Sequence, residues 1–520
     1  MSGRGSYLVG AGILLSRISG LVRQKILAHF LGLGDEADAV TAALRIPNFL
    51  QNLFGEGALS ASFIPRYARL LGEGREEEAG KLAGAILSLL AVVVALLVAV
   101  GILAAPWLVT LLVGDWSPEK RALTETLVRI LFPSVGLLVI SAWCLGILNS
   151  HRRFFVSYTA PVAWNIAIIT AVLLAPPERR DIVIWASWGA VAGAMLQVLV
   201  QLPSVRAVAG VIRPRAWRGV EAVSQVVKTF VPAVMARGAA QIASFIDLAI
   251  AGFLPGGAVA AIANAQVLYT LPVSLFGMAV SAAELPEMAR AGGDGSQVAG
   301  ALRVRLDAAT QRLAYYIVPS AMAFLTIGGV LAGAVYQGGA FSESDARYVW
   351  LILAGSAFGL LASTLGRLYS SAFYALHDTV TPLRFALVRI VSAAVLGAIG
   401  ALLLPRWLGL PASTGAAGLT LAGGLAGWLE FALLRRALCR RLGSFSLPLV
   451  ELAKLWFAAT VAAVAATAVR LTTESMGPLL QAALVIPVFS IVYLGATAWM
   501  NLPESAVITA RLRRRRNRER

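Results

Sequence analysis

Residues 82–105 read LAGAILSLLAVVVALLVAVGILAA, an apolar run without a single charge. As a helix it is long enough to cross the roughly 30 Å hydrocarbon core of a bilayer, which takes about 20 residues. Comparable runs recur from residue 6 to residue 500, separated by short polar breaks. Barrel strands would instead alternate polar and apolar over about 10 residues. Composition agrees: 58% of the 520 residues are hydrophobic, only 14% are charged, and the mean hydropathy is +0.77, outside the range of soluble domains. The fold class is an all-α polytopic membrane protein of about 14 transmembrane helices.

Loop charges orient these spans, because cytoplasmic loops collect Lys and Arg. With the N-terminus inside, the inner segments hold Arg66, Arg69, Arg75, Arg152, Arg153, Arg213, Arg215, Arg218, Arg303, Arg305, Arg435, Arg436, Arg440, Arg441 and the Arg-rich tail from Arg511. The outer loops hold little beyond Lys120, Arg121, Arg179, Arg180, Arg347 and Arg406. Both termini are therefore expected to be cytoplasmic. The net charge of +17 then belongs to topology and to anionic headgroups rather than to nucleic acid. Cys144 falls in a span and Cys439 in an inner loop, so neither a disulfide nor a metal cluster is expected. The first span is too long for a cleaved signal peptide and lacks a small-residue cleavage site.

One internal repeat is visible. Residues 46–69, IPNFLQNLFGEGALSASFIPRYAR, and 271–290, LPVSLFGMAVSAAELPEMAR, both run from aliphatic-Pro through LFG and Ser-Ala to Pro-x-x-Ala-Arg. Six spans separate the copies, so the halves share an orientation. The expected division is an N-terminal lobe at 1–202 (spans 1 to 6), a cytoplasmic linker at 203–223, and a pseudo-symmetric second lobe of six spans at 224–441. Two further spans at 442–501 and a basic tail at 502–520 complete it.

Charges inside the spans are the informative ones. The segment ILLSRISGLVR, residues 13–23, holds Arg17 and Arg23 where an arginine costs at least about 2.5 kcal/mol unless it faces protein or water. A six-residue step is about 9 Å along a helix and roughly 120° around it, so with Ser16 and Gly20 between them the pair forms a spiral suited to the wall of a wide, wet cavity. A wide anionic substrate fits that wall better than a small ion. Span 2 adds Asp38, Arg45, Asn48, Gln51 and Glu56; span 7 adds Arg237 and Asp247; span 8 offers Asn264 and Gln266. Arg45 could pair with Asp38 as structural glue, and Asp247 could bridge helices. His29, His151 and His377 are scattered, no HExxH, GxSxG or P-loop occurs, and so neither an enzyme nor an ATP-driven pump is expected.

These residues resemble the MurJ (MviN) lipid II flippases of the multidrug/oligosaccharidyl-lipid/polysaccharide exporter superfamily. The likeness rests on SRISGLVR at 16–23, GLGDEADAV at 32–40, RIPNFLQNLFGEGALSASFIP at 45–65 and FYALHDTVTP at 373–382, and spans nearly the whole chain. The resemblance implies a flippase of a bacterial inner membrane that carries lipid II, the undecaprenyl-diphosphate-linked precursor of peptidoglycan, from inner to outer leaflet by alternating access. It also implies a cationic cavity, a lipid-tail groove from spans 13 and 14, no cofactor, and coupling to membrane potential or a monovalent cation gradient. The implied partners are the lipid-linked glycan and membrane lipids, with cell-wall synthesis and division proteins as candidates; the chain is expected to be a monomer.

Arg17, Arg23 and Asp38 match family cavity positions, and Arg45 a position that is usually basic. Together with Ser16, Asn48, Gln51, Arg237 and Gln266 they form the expected substrate-binding set. Gly20, Glu56, Gly57, Asp247 and Asp378 are assigned to the conformational change. Two departures stand out: Val267, in NAQVLYTLP at 264–272, replaces a family arginine, and Gln51 replaces another. Arg237 could restore one charge. The losses equally allow a different polyprenyl-diphosphate glycan, while a cation-coupled exporter of small amphiphiles and a non-transporting cell-wall scaffold are the remaining alternatives.

Overall fold

The computed structural model describes residues 3–54, 56–217, 221–278, 280, 295–443 and 447–505, and among them the chain is helical with no sheet. The helices are α1 (Gly3–Leu31), α2 (Asp35–Phe54), α3 (Glu56–Gly72), α4 (Glu76–Val113), α5 (Pro118–Ser150), α6 (Phe154–Leu174), α7 (Arg179–Ala209), α8 (Glu221–Gly252), α9 (Ala258–Pro272), α10 (Gly295–Thr326), α11 (Gly328–Tyr336), α12 (Glu343–Ala357), α13 (Leu360–Ala375), α14 (Val380–Ala398), α15 (Gly415–Leu442), α16 (Leu449–Thr472) and α17 (Pro478–Trp499).

Nine described helices are long and apolar enough to cross a membrane, or eleven when two bent pairs each count as one span. That is short of the expected 14. That count covers the described residues alone, in which α8 enters as a shorter apolar helix, Gln241–Gly252. The bent pairs are α10 with α11, at 80°, and α12 with α13, at 43°. At the second break a Cβ on Gly359 would lie 2.3 Å from Gly424 Cα, so α15 approaches the kink backbone to backbone, as small residues allow between membrane helices. Outward-facing side chains are apolar: Trp107, Leu103 and Leu111 of α4 are 82%, 80% and 78% exposed, a surface suited to hydrocarbon rather than water.

The chain forms two compact units, Met1–Ala260 with Gly339–Phe341, and Ala261–Gly338 with Ser342–Arg520. In the first, α5 is the central helix, burying Leu127, Val128, Leu131, Phe132, Val139 and Cys144 against α2, α4 and α7. It starts where it does because Pro118 fits the first turn and the Ser117 hydroxyl accepts the Lys120 N–H. Helix α8 packs on α3 and α4 and so belongs to this unit. The division into lobes expected from sequence rests on the internal repeat, a different criterion from compactness. In the second unit α10, α13 and α15 form the core with α16 and α17 attached to α10 and α11; Tyr493 donates to Tyr315 O at 2.6 Å.

Candidate functional site

In the first unit, α1 presents its two arginines to different surroundings. Arg23 Nη1 donates to Asn165 Oδ1 at 3.1 Å on α6, and the guanidinium lies 4.7 Å from the Trp164 ring centre. Asn165 Nδ2 in turn donates to Ser19 Oγ at 2.8 Å, and Ser19 to Ser16 O at 2.9 Å. Trp164 is fixed by its indole N–H on Ala190 O at 3.0 Å and by the face of Gly193. Among the described residues every partner of Arg23 is neutral, and its Nε is buried with no hydrogen bond. Gly20 faces α6 as well, its would-be Cβ 3.9 Å from Asn165 Nδ2. Arg17, by contrast, is exposed and makes no ion pair or hydrogen bond among the described residues. The turn of roughly 120° between them sets one guanidinium on a polar shelf and leaves the other open.

Arg45 of α2 donates through Nη1 to Ser244 O on α8 at 3.0 Å and feels the charge of Asp247 one turn along. Phe49 and Phe245 pack edge to face beside it, 4.9 Å between centres. Asp247, which sequence reading allowed as a bridge between helices, is thus the acid facing Arg45. Asn48 is half-buried nearby on α2. The side chains of Gln51, Glu56, Gly57 and Arg237 lie outside the described residues.

Asp38 has other partners. Its carboxylate is 1% exposed and takes Lys120 Nζ at 2.7 Å, Gly257 N at 2.7 Å and Ala260 N at 2.8 Å. Lys120, counted from sequence as an outer-loop charge, is itself buried, bridging to Asp35 Oδ1 at 2.8 Å and lying 4.0 Å from the Trp116 ring centre. Trp116 donates to Gly252 O at 3.0 Å. Asp38 therefore caps the start of α9 and clamps it to α2 and α5, an anion set where helix N–H groups converge. Gly257 makes the approach possible: its φ is +88°, and a Cβ there would stand 3.0 Å from Leu33 O. Pairing of Arg45 with Asp38 is replaced by two separate pairs.

In the second unit Gln266 is exposed on α9 and among the described residues its side chain bonds only to Thr270, one turn on, at 3.3 Å; Val267 is half-buried. Asp378 accepts Val380 N, Thr381 N and Thr381 Oγ1 at 3.0, 2.9 and 2.7 Å, and Arg441 Nη2 at 2.6 Å. It caps α14 and ties it to the end of α15. These bonds from Thr381, with the Arg441 charge, hold the Asp378 carboxyl below the usual carboxylate range. Sequence reading missed a further pair, Arg389 of α14 with Glu430 of α15 at 3.0 Å, with Arg367 of α13 acting on the same acid. It also missed Asn165 and Trp164. A lone Asn in an apolar run, and opposite charges in successive spans, were the available signals. No group of His, Cys, Asp and Glu able to hold a metal occurs among the described residues.

A family model described as lipid II flippase MurJ matches residues 27–488. A lipid II flippase MurJ of Burkholderia cenocepacia is 31% identical over 446 residues, 84% of this chain and 84% of that protein. A probable lipid II flippase MurJ of Haemophilus influenzae is 29% identical over 393 residues, 73% of this chain and 77% of its own. Among solved structures, a lipid II flippase MurJ in an inward closed conformation superposes with a TM-score of 0.77 at 22% identity, covering 95% of this chain and 98% of that one. An inward-facing multidrug resistance MATE transporter of the MOP superfamily gives 0.64 at 15% identity over 83% of this chain and 96% of its own. The fold is that of these exporters, and the chain belongs to the MurJ lipid II flippase family.

Proposed function

We propose that this chain carries lipid II, the undecaprenyl-diphosphate-linked disaccharide-pentapeptide, from the inner to the outer leaflet of a bacterial inner membrane by alternating access. Both termini are then cytoplasmic, as the loop arginines require. The observation that carries the reading is the state of the span arginines: Arg17 has no partner among the described residues and Arg23 has only neutral ones. Guanidinium forks match phosphate oxygens with paired, charge-assisted hydrogen bonds. A diphosphate that lipid cannot solvate would satisfy both.

Arg45, with Asp247 opposite, is the third cation of this surface, and Arg237 is assigned the charge that Val267 and Gln51 do not supply. Gly20, Glu56, Gly57, Asp247 and Asp378 are assigned to the conformational change. Helices α16 and α17 are assigned the lipid tail. The chain works as a monomer with no cofactor, driven by membrane potential or a monovalent cation gradient.

Depletion in the native bacterium, followed by labelling of lipid-linked precursor on each leaflet, tests the function. Precursor retained on the cytoplasmic leaflet is the expected result. Unchanged sidedness with disturbed division would replace transport by scaffolding. Binding of purified protein to lipid II against other polyprenyl diphosphates, with Arg17→Ala and Arg23→Ala as controls, tests the headgroup.

A further inference from the structure

Helices α16 and α17 meet in a short turn, and there the ends of α11, α12, α16 and α17 enclose a cavity of about 580 Å³, within the size range of small-molecule sites. Glycines of α11 make the room, Gly329 and Gly333 lining one wall where larger residues would fill it. Trp350 of α12 forms another, held by its indole N–H on Phe324 O at 3.1 Å. Arg347, which lines the cavity, is counted as outer by charge placement.

Four charges line the cavity, and they are not equivalent. Glu343 and Arg347 pair across one turn of α12 at 2.5 Å and are largely exposed, so each neutralises the other. Arg470 lies in the last turn of α16, and Glu474 follows in the turn beyond Thr472, where the helix has ended. Neither makes an ion pair among the described residues, with each other or with any neighbour, and Arg470 Nε is buried without a hydrogen-bond partner. The turn itself is fixed independently, Gln481 Nε2 reaching Arg470 O at 3.3 Å and Thr473 O at 3.4 Å. A cation and an anion, neither in an ion pair among the described residues, thus line one cavity.

We propose that this cavity binds a zwitterion, with a carboxylate or phosphate on Arg470 and an ammonium group on Glu474. Two sources share that chemistry: the ends of a short peptide or amino acid arriving from solution, and the phosphoethanolamine headgroup of an outer-leaflet lipid. The proposal needs nothing from the flippase reading, since it concerns a different set of side chains.

The test uses the full chain in nanodiscs of phosphatidylglycerol, which lacks an ammonium group, and measures calorimetric binding of glycylglycine and of glycerophosphoethanolamine. Acetate and ethylammonium, each with one charge, serve as controls. Saturable binding of either zwitterion is expected, with the controls weaker by about tenfold or more. Glu474→Gln and Arg470→Gln should each weaken it by a similar factor, while Arg470→Lys retains most of it. Binding of the dipeptide alone assigns a soluble source, of the glycerophospho compound alone a lipid one, and of both the shared chemistry. Absence of saturable binding by either, equal binding of acetate, or affinity unchanged in Glu474→Gln overturns the proposal. Because Glu474 lies outside the helix, its substitution keeps the test open should Arg470→Gln fail to fold.

Discussion

The clamp around Asp38 makes a graded prediction. Hydrogen bonds to a charged group contribute about 1.5–3 kcal/mol each, and stripping one partner from a buried ion pair costs about 3–5 kcal/mol because the other charge stays buried. Lys120→Met leaves the carboxylate, 1% exposed, with only the Gly257 and Ala260 N–H groups, so a loss of about 4 kcal/mol is expected. Asp38→Asn is milder: Lys120 keeps Asp35 at 2.8 Å and the Trp116 ring, and the amide oxygen still serves one backbone donor. About 2 kcal/mol is expected there. Asp35, 62% exposed in its side chain, should cost under about 1 kcal/mol as Asn. Lys120→Met with Asp38→Asn should cost less than the two singles together, by about 1–3 kcal/mol. Unfolding in mixed detergent and dodecyl sulfate micelles, followed by far-ultraviolet dichroism, measures all four. Equal losses for Asp35→Asn and Asp38→Asn, or singles that add within about 0.5 kcal/mol, would refute the clamp. Loss of substrate binding in Asp38→Asn with no loss of stability would return Asp38 to the binding set.

Arg23→Ala and Arg17→Ala should each weaken lipid II binding in nanodiscs by about tenfold or more. Lysine should restore position 17 better than position 23, where the planar guanidinium stacks on Trp164; equal rescue would mean the shelf plays no part. Asn165→Ala, which removes one partner each from Arg23 and Ser19, should lower stability by about 1–2 kcal/mol in the same unfolding assay. Asp378 titrates below the ordinary carboxylate range when folded, so its contribution is complete above the unfolded value near about 4 and is lost as pH falls through the lower, folded value. The melting temperatures of the native chain and Asp378→Asn should therefore differ at pH 7 and converge in acid; a constant difference would exclude the carboxylate as the cause.

Hydropathy alone was enough for the helical membrane fold, because spans such as 82–105 have no soluble alternative. The positions of individual charges were less legible. Lys120 reads as one more outer-loop cation, since nothing in its neighbourhood in the chain announces that Asp38, across 82 residues, will bury it. Asp38 reads as a cavity acid for the same reason: intramembrane position shows that a partner is needed, but not which one. Asn165 and Trp164 pass as ordinary members of an apolar span until α6 is laid against α1. The Arg389 and Glu430 pair lies in spans whose hydropathy is high enough to hide two charges.

Three described intramembrane carboxylates are compensated: Asp38 by Lys120 and the start of α9, Glu430 by Arg389, and Asp247 by the charge of Arg45. The guanidinium groups of α1 are not, with Arg23 on an amide and an indole and Arg17 on nothing described. A pathway for cations should show the opposite, acids left open and bases paired. Charge left uncompensated within a membrane is costly unless a ligand or water completes it, which is why the proposed substrate is an anion.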